Sequence, residues 1–319
     1  MSGESATNTQ ITVVRDAADL EIFEAAIADK ALLAFDAEGV NLSRIGAATL
    51  LAIGVQNEDN VHVYLFDLLH LVGSDFYHSE IQILKAILEN RTIIKIVHDC
   101  RQDSDALYKF LNITLSGVFD TSIYDMEIRN MEAGTIVNRS NLNKTLQTYN
   151  CQENEVRNKP AGFYDLNPQY WALRSLAPLS EGSLDALSEQ VLSEEQIAWA
   201  SGDISSLFEL RSAILQKIRL DQLDSIQMLS EQAASEFRDS RFDAIVVITD
   251  RDAMGRVIGK YGNTIRQITL STGATSIERT RLGGFLVLAK TNEILKNAKA
   301  AIEQKANEKS NTKSYKKKY

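Results

Sequence analysis

Three apolar runs stand close together early in the chain: ALLAFD (31–36), AATLLAIGV (47–55) and VHVYLFD (61–67), with short polar turns between them. Their length and their β-branched and aromatic content make each a strand, and the short links make them neighbours in one sheet. SEIQILKAILEN (79–90) then has a helical period, TIIKIV (92–97) is a fourth strand, and DSDALYKFL (103–111) is a helix. Three adjacent strands followed by helix-strand-helix units suggest a mixed sheet. The expected fold class is therefore α/β, a mixed sheet covered by helices.

Beyond about residue 125 the chain reads as helical to about 192, interrupted by Pro160, Pro168 and Pro178. SEEQIAWASGDISSLFELRSAILQKI (193–218) is one long helix that runs on toward 234. After the charged link EFRDSRF, DAIVVIT (243–249) opens a new strand and a second, small α+β domain with the order strand, two helices, two strands, helix. The expected organisation is a disordered N-terminus over 1–12, a first domain over 13–218 and a helical linker over 219–241. A second domain over 242–304 and a basic disordered tail over 305–319 complete it.

With 319 residues, 44% of them apolar, the chain can build two cores. Its two cysteines, Cys100 and Cys151, suggest no disulfide framework and fit a reducing compartment. No run approaches the ~20 apolar residues of a membrane helix, and MSGESATNTQ lacks a signal peptide's basic start and apolar centre. The expected setting is intracellular, cytoplasmic or nuclear, with no membrane partner. The net charge of −9 is unevenly spread: from Glu236 onward 17 Lys and Arg face 9 Asp and Glu, while residues 1–235 carry 17 against 34. The small module thus holds the positive charge that a polyanion binder needs.

Acids recur at strand and helix ends. Asp36 and Glu38 are two residues apart on a strand, so their carboxylates share one face and repel each other unless a divalent cation lies between them. His98 ends the fourth strand, with Asp99, Asp103 and Asp105 opening the next helix. Asp203 lies at the buried edge of the long helix, beside Ile197, Ala200, Ile204 and Leu207. Acids near a core ask for a partner or a metal.

The ordered set D-x-E-G (Asp36, Glu38, Gly39), H-x4-D (His98, Asp103) and A-x-x-D-x-x-x-L (Asp203, Leu207) resembles the 3'-5' exonuclease domain of the DEDD superfamily, relatives of ribonuclease D with a ribonuclease H-like fold. FDT (119–121) and W-x-x-R-x-L (Trp171, Arg174, Leu176) support it. The resemblance implies that Asp36, Glu38, Asp103 and Asp203 hold two Mg2+ or Mn2+ ions, ~4 Å apart, for hydrolysis of a phosphodiester. Asp99 and Asp105 compete with Asp103 as ligand, and the five-residue spacing from His98 favours Asp103. Asp120 and Asp165 read as turn or capping acids. Where one branch of the superfamily has a water-orienting tyrosine, four residues before the last aspartate, this chain has Trp199, which offers an N–H and no acceptor. Trp199 and His98 are thus candidates for water positioning or stacking. VHDCRQDSDAL further resembles the Egalitarian and exonuclease-domain-containing-protein-1 group, some of whose members have lost catalysis and serve in RNA transport or small-RNA complexes.

The second module places Gly259, Lys260, Tyr261 and Gly262 between its first two helices, with Val257, Ile258, Ile265 and Ile268 as an apolar face. An I-G-x-x-G-x-x-I frame within that element order resembles a type I KH domain (βααββα), whose loop clamps the backbone of single-stranded RNA. Lys260 and Tyr261 supply charge and stacking, and Arg256 and Arg266 are expected to extend the groove. Two functions follow from the resemblances. One is a metal-dependent 3'-5' exonuclease on single-stranded RNA, or DNA, that uses the KH module to hold its substrate. The other is an RNA-binding adapter with the exonuclease fold as scaffold. No protein partner is legible.

Overall fold

The structure is a computed structural model that describes residues 8–40, 42–45, 47–57, 60–68, 77–154, 156, 192–280 and 283–308. The chain divides into two units, Met1–Ser235 and Glu236–Tyr319.

The first unit is built on a six-stranded mixed sheet of order β1-β4-β3-β2-β5-β6. The strands are β1 (Asn8–Val14), β2 (Leu32–Val40), β3 (Ala47–Asn57), β4 (Asn60–Asp67), β5 (Ile94–Val97) and β6 (Val118–Asp120). As their short links require, β2, β3 and β4 pair antiparallel; β5 joins β2 in parallel and β6 joins β5 in parallel. β1 begins at Asn8, inside the stretch expected to be disordered. Its polar start conceals a strand that pairs in parallel with β4, Asn8 opposite Asn60, while Val13 and Val14 at its end pack into the core.

The period of two along β2 divides the core. Leu33, Phe35 and Ala37 pack with α1 (Ala17–Ile27) and α2 (Tyr77–Leu88), whereas Ala34 packs with Ala200, Ile204, Leu207 and Phe208 of α6 (Glu194–Leu215). Asp36 and Glu38 continue the Ala34 face and so point toward α6. Gly54 of β3 permits this close approach, since a Cβ there would collide with Ile204. The β2–β3 register shifts between Glu38 and Gly39, and Thr49 Oγ1 donates to Glu38 O at 3.2 Å. Such a bulge re-aims side chains at a sheet end.

Between these parts lie α3 (Arg101–Ala106), continued by a π-helical turn (Leu107–Leu111), α4 (Thr121–Ala133) and α5 (Leu142–Thr148). Helix α6 opens with a capping box of Ser193 and Gln196 and ends at Leu215, short of the run expected toward 234. The segment expected as a linker holds α7 (Leu223–Glu236), which serves the sheet instead. Glu231 and Ser230 accept the outward N–H groups of Val118 and Asp120, at 2.8 and 2.9 Å, and Gln227 donates to Val118 O at 2.8 Å. A strand edge that would otherwise be open is closed by helix side chains.

The second unit has an antiparallel sheet of order β7-β9-β8, made of β7 (Phe242–Val246), β8 (Ser276–Arg279) and β9 (Phe285–Ala289). Helices α8 (Arg251–Ile258), α9 (Asn263–Thr272) and α10 (Asn292–Asn307) pack against it over Val257, Ile268, Phe285, Val287 and Ile302. This is the expected strand, two helices, two strands, helix. Among the described residues no helix is long and apolar enough to cross a membrane.

Candidate nuclease centre and nucleic-acid loop

Asp36 and Glu38 of β2 meet Asp203 of α6: one carboxylate oxygen from each lies within 4.8 Å of the other two. Asp203 is buried. Asp103, expected beside them, contributes no oxygen to that set. Its Oδ1 instead accepts the backbone N–H of Ala37, between the two β2 acids, at 3.1 Å. Burial first, and then the charge of Asp36, push the Asp103 carboxyl well above the usual carboxylate range, while the Ala37 N–H pulls it down.

The competing acids are otherwise engaged. Asp105 receives Arg44, Nη2 to Oδ1 at 2.7 Å and backbone N to Oδ2 at 2.9 Å, which ties the chain after β2 to α3. Asp99, in the left-handed region at φ 57°, binds Arg101 and Arg139, each at 2.6 Å. Burial pushes its carboxyl up, but the bonds and charges of the two arginines outweigh this and hold it down at about 2. Asp120 caps α4 through Ser122 N, as the sequence suggested. Asp165, Trp171, Arg174 and Leu176 lie outside the described residues.

Trp199, one turn before Asp203 on α6, donates its indole N–H to Glu38 Oε1 at 2.7 Å. It therefore touches a carboxylate of the convergent set. His98 Nε2 donates to Ser140 O at 3.0 Å and Nδ1 lies 2.8 Å from Thr121 Oγ1, so the ring ties the segment before α5 to the end of β5. A cleft of about 320 Å³ is lined by Asp36, His98, Asp99, Arg139, Asn141 and Asp203 among others. Sequence reading missed Arg139 and Asn154. Asn154 donates to Asp203 Oδ1 at 2.7 Å, from a stretch with no apolar period to mark it.

The residues fit divalent cations. Three oxygen donors of like charge converge at the sheet end, and hard cations such as Mg2+ or Mn2+ take such ligands.

In the second unit the loop is built for close backbone approach. Gly259 and Gly262 have φ of 72° and 74°, and a Cβ on Gly259 would collide with Thr264. Between them Tyr261 is 83% exposed, with Lys260 Nζ 5.3 Å from its ring centroid. Arg266 folds back on the loop, donating to Tyr261 O at 2.6 Å and Gly262 O at 3.2 Å, which leaves its positive charge at the loop. Arg256, expected to extend the groove, has a structural bond of its own. It donates twice to Ala306 O, at 3.2 and 2.6 Å, and so satisfies a carbonyl at the end of α10 that the helix leaves open.

Comparison with known proteins matches these units. The 3'-5' exonuclease family model covers residues 11–219 and the KH domain model residues 244–304. The piRNA biogenesis protein EXD1 of Homo sapiens is 34% identical over 154 residues, 46% of this chain and 28% of that protein. That of Bombyx mori is 32% identical over 129 residues, 40% of this chain and 38% of the relative. The chain thus matches less than half the length of these relatives. The crystal structure of Trypanosoma brucei RNase D superposes with a TM-score of 0.52 at 17% identity, over 73% of this chain and 74% of that one. Its complex with RNA U12 gives 0.52 at 19% identity, over 73% and 72%. At that identity the likeness is one of fold, a ribonuclease H-like sheet. With most of its length covered by one family model, the chain belongs to the 3'-5' exonuclease family and carries a KH RNA-binding domain after the exonuclease domain.

Proposed function

We propose that the chain is a metal-dependent exonuclease that removes nucleotides from the 3' end of single-stranded RNA, with the KH loop holding the strand. The observation that carries this reading is the convergence of Asp36, Glu38 and Asp203, two of which, Asp36 and Asp203, line a cleft. These residues would hold two divalent cations, with Asp103 as the fourth carboxylate. A bound cation of this kind supplies an activated water and offsets charge at the reacting phosphate. The protein's part is to aim the carboxylates, and Trp199, which cannot accept a proton, acts through Glu38. In the second unit Lys260 meets phosphate and Tyr261 offers a stacking face.

Labelled single-stranded RNA and DNA, incubated with Mg2+, Mn2+ or EDTA, test the reading. Expected is stepwise 3' shortening of RNA that EDTA stops and that Asp36→Ala slows by roughly 10³-fold, several kcal/mol of lost charge stabilisation. Equal shortening by Asp36→Ala would sink the assignment. One observation favours a second reading, an RNA adapter with little catalysis: the Trp199 N–H occupies Glu38 Oε1, where a phenol would offer an acceptor as well. Tight RNA binding with no shortening in either metal would decide for the adapter.

A further inference from the structure

Asn154 stands where the end of the α5 segment meets α6, and both ends of its side-chain amide are engaged. Its Nδ2 donates to Asp203 Oδ1 at 2.7 Å and to Trp199 O at 3.2 Å, while its Oδ1 accepts from Val156 N at 3.1 Å. Trp199 O can only accept and Val156 N can only donate, so the amide has one workable orientation. Gly202, next to Asp203, makes the approach possible. A Cβ there would lie 2.7 Å from Asn154 Cγ and Nδ2 and 2.8 Å from Oδ1.

We propose that Asn154, seated against Gly202, is a positioning residue of the cation site: it fixes the orientation of the Asp203 carboxylate toward the metal. The inference rests on the metal reading above. The chemistry of the donor is the core of it. Asp203 is buried beside two other carboxylates, and something must orient it. A lysine or arginine would do so but would neutralise the charge that attracts a cation. An amide N–H orients the oxygen and leaves the charge in place. Trp199 acts in the same way on Glu38, with an uncharged N–H donor at 2.7 Å. Partners behind a ligand are commonly worth about 10- to 100-fold in metal affinity.

The experiment titrates Mn2+ into the full chain and follows the free ion by electron paramagnetic resonance, for the unsubstituted protein, Asp36→Ala, Asn154→Ala, Gly202→Ala and the Asn154/Gly202 double variant. Melting in EDTA shows which variants are folded. Expected is Mn2+ binding that Asp36→Ala removes and that Asn154→Ala and Gly202→Ala each weaken by about tenfold. Because Gly202→Ala acts only by displacing the amide, it adds nothing to Asn154→Ala in the double variant. If Gly202→Ala does not fold, Asn154→Ala alone carries the test. Mn2+ affinity of Asn154→Ala equal to that of the unsubstituted chain, with binding still lost in Asp36→Ala, overturns the inference and leaves the metal reading intact. Binding that Asp36→Ala does not change overturns the metal reading and the inference with it.

Discussion

Trp199 is the residue on which the balance between nuclease and adapter turns. Its N–H holds one oxygen of Glu38, and the indole has no lone pair with which to accept from water. Replacing it with Tyr gives the same helix position a hydroxyl that both donates and accepts. Trp199→Tyr is therefore expected to raise single-turnover cleavage, by up to the ~10²-fold that a positioned acid–base group supplies. Trp199→Phe, which keeps a ring and removes the donor, should lower it. Single-turnover rates at saturating metal check both, and an unchanged rate in Trp199→Tyr would place the indole outside the water's surroundings. At this scale the sequence was legible where the period of the element fixes direction. Asp36 and Glu38 share a face because a strand alternates, and Asp203 faces them because Ile204 and Leu207 set the buried side of α6. It was illegible where a partner comes from far along the chain. Asn154 reaches Asp203 across 49 positions and Arg256 reaches Ala306 across 50, and nothing local marks either pair.

Helix α7 shows the same limit for a whole element. Read along the chain, it is an amphipathic stretch between two domains. In the fold it is the cover of β6, with Gln227, Ser230 and Glu231 on that strand's backbone and Ser104 Oγ donating to Ala234 O at 2.5 Å. Glu231 also bears on Lys95, which is fully buried in β5 and donates to Asn90 O at 2.6 Å and Ile93 O at 2.7 Å. A chain ended at Ile218 should therefore melt lower than one ended at Asp239 and should aggregate through the bared β6 edge. At about 1 kcal/mol for each of the backbone bonds lost, the shift is several degrees. Equal melting temperatures of the two would show that the cover is dispensable. The buried lysine adds a pH signature. Burial lowers the Lys95 pKa from 10.5 to about 8, and Glu231 raises it in part. The unfolded chain then binds more protons than the folded one between those values, so Lys95 makes stability rise as pH climbs from about 8 to 10.5. Chemical denaturation across that range should show the rise, and Lys95→Met should flatten it.

For the molecule as a whole, the convergent acids and the excess of positive charge lie in separate units. Residues 1–235 hold 34 acids against 17 basic residues, and the described carboxylates of the site are among those acids, whereas residues from 236 onward carry 17 basic residues against 9 acids. A strongly acidic body repels a polyanion, so an acidic nuclease unit alone should take RNA poorly and the KH unit should provide most of the affinity. Lys260 and Tyr261 stand at the loop without serving as core, Tyr261 being 83% exposed, so changing both to Asp should leave the apolar cluster around Val257 and Phe285 folded. RNA affinity should fall, and the slope of log affinity against log salt should lose about 0.7 for the single phosphate contact removed with Lys260. Cleavage of a dinucleotide, too short to fill a KH loop that clamps about four nucleotides, should be unchanged. A binding assay over a range of salt concentrations, run beside dinucleotide hydrolysis, separates the two effects. Affinity that survives the double change would mean the loop is not the contact. Loss of dinucleotide cleavage would mean that the loop serves the acid site itself rather than delivering RNA to it.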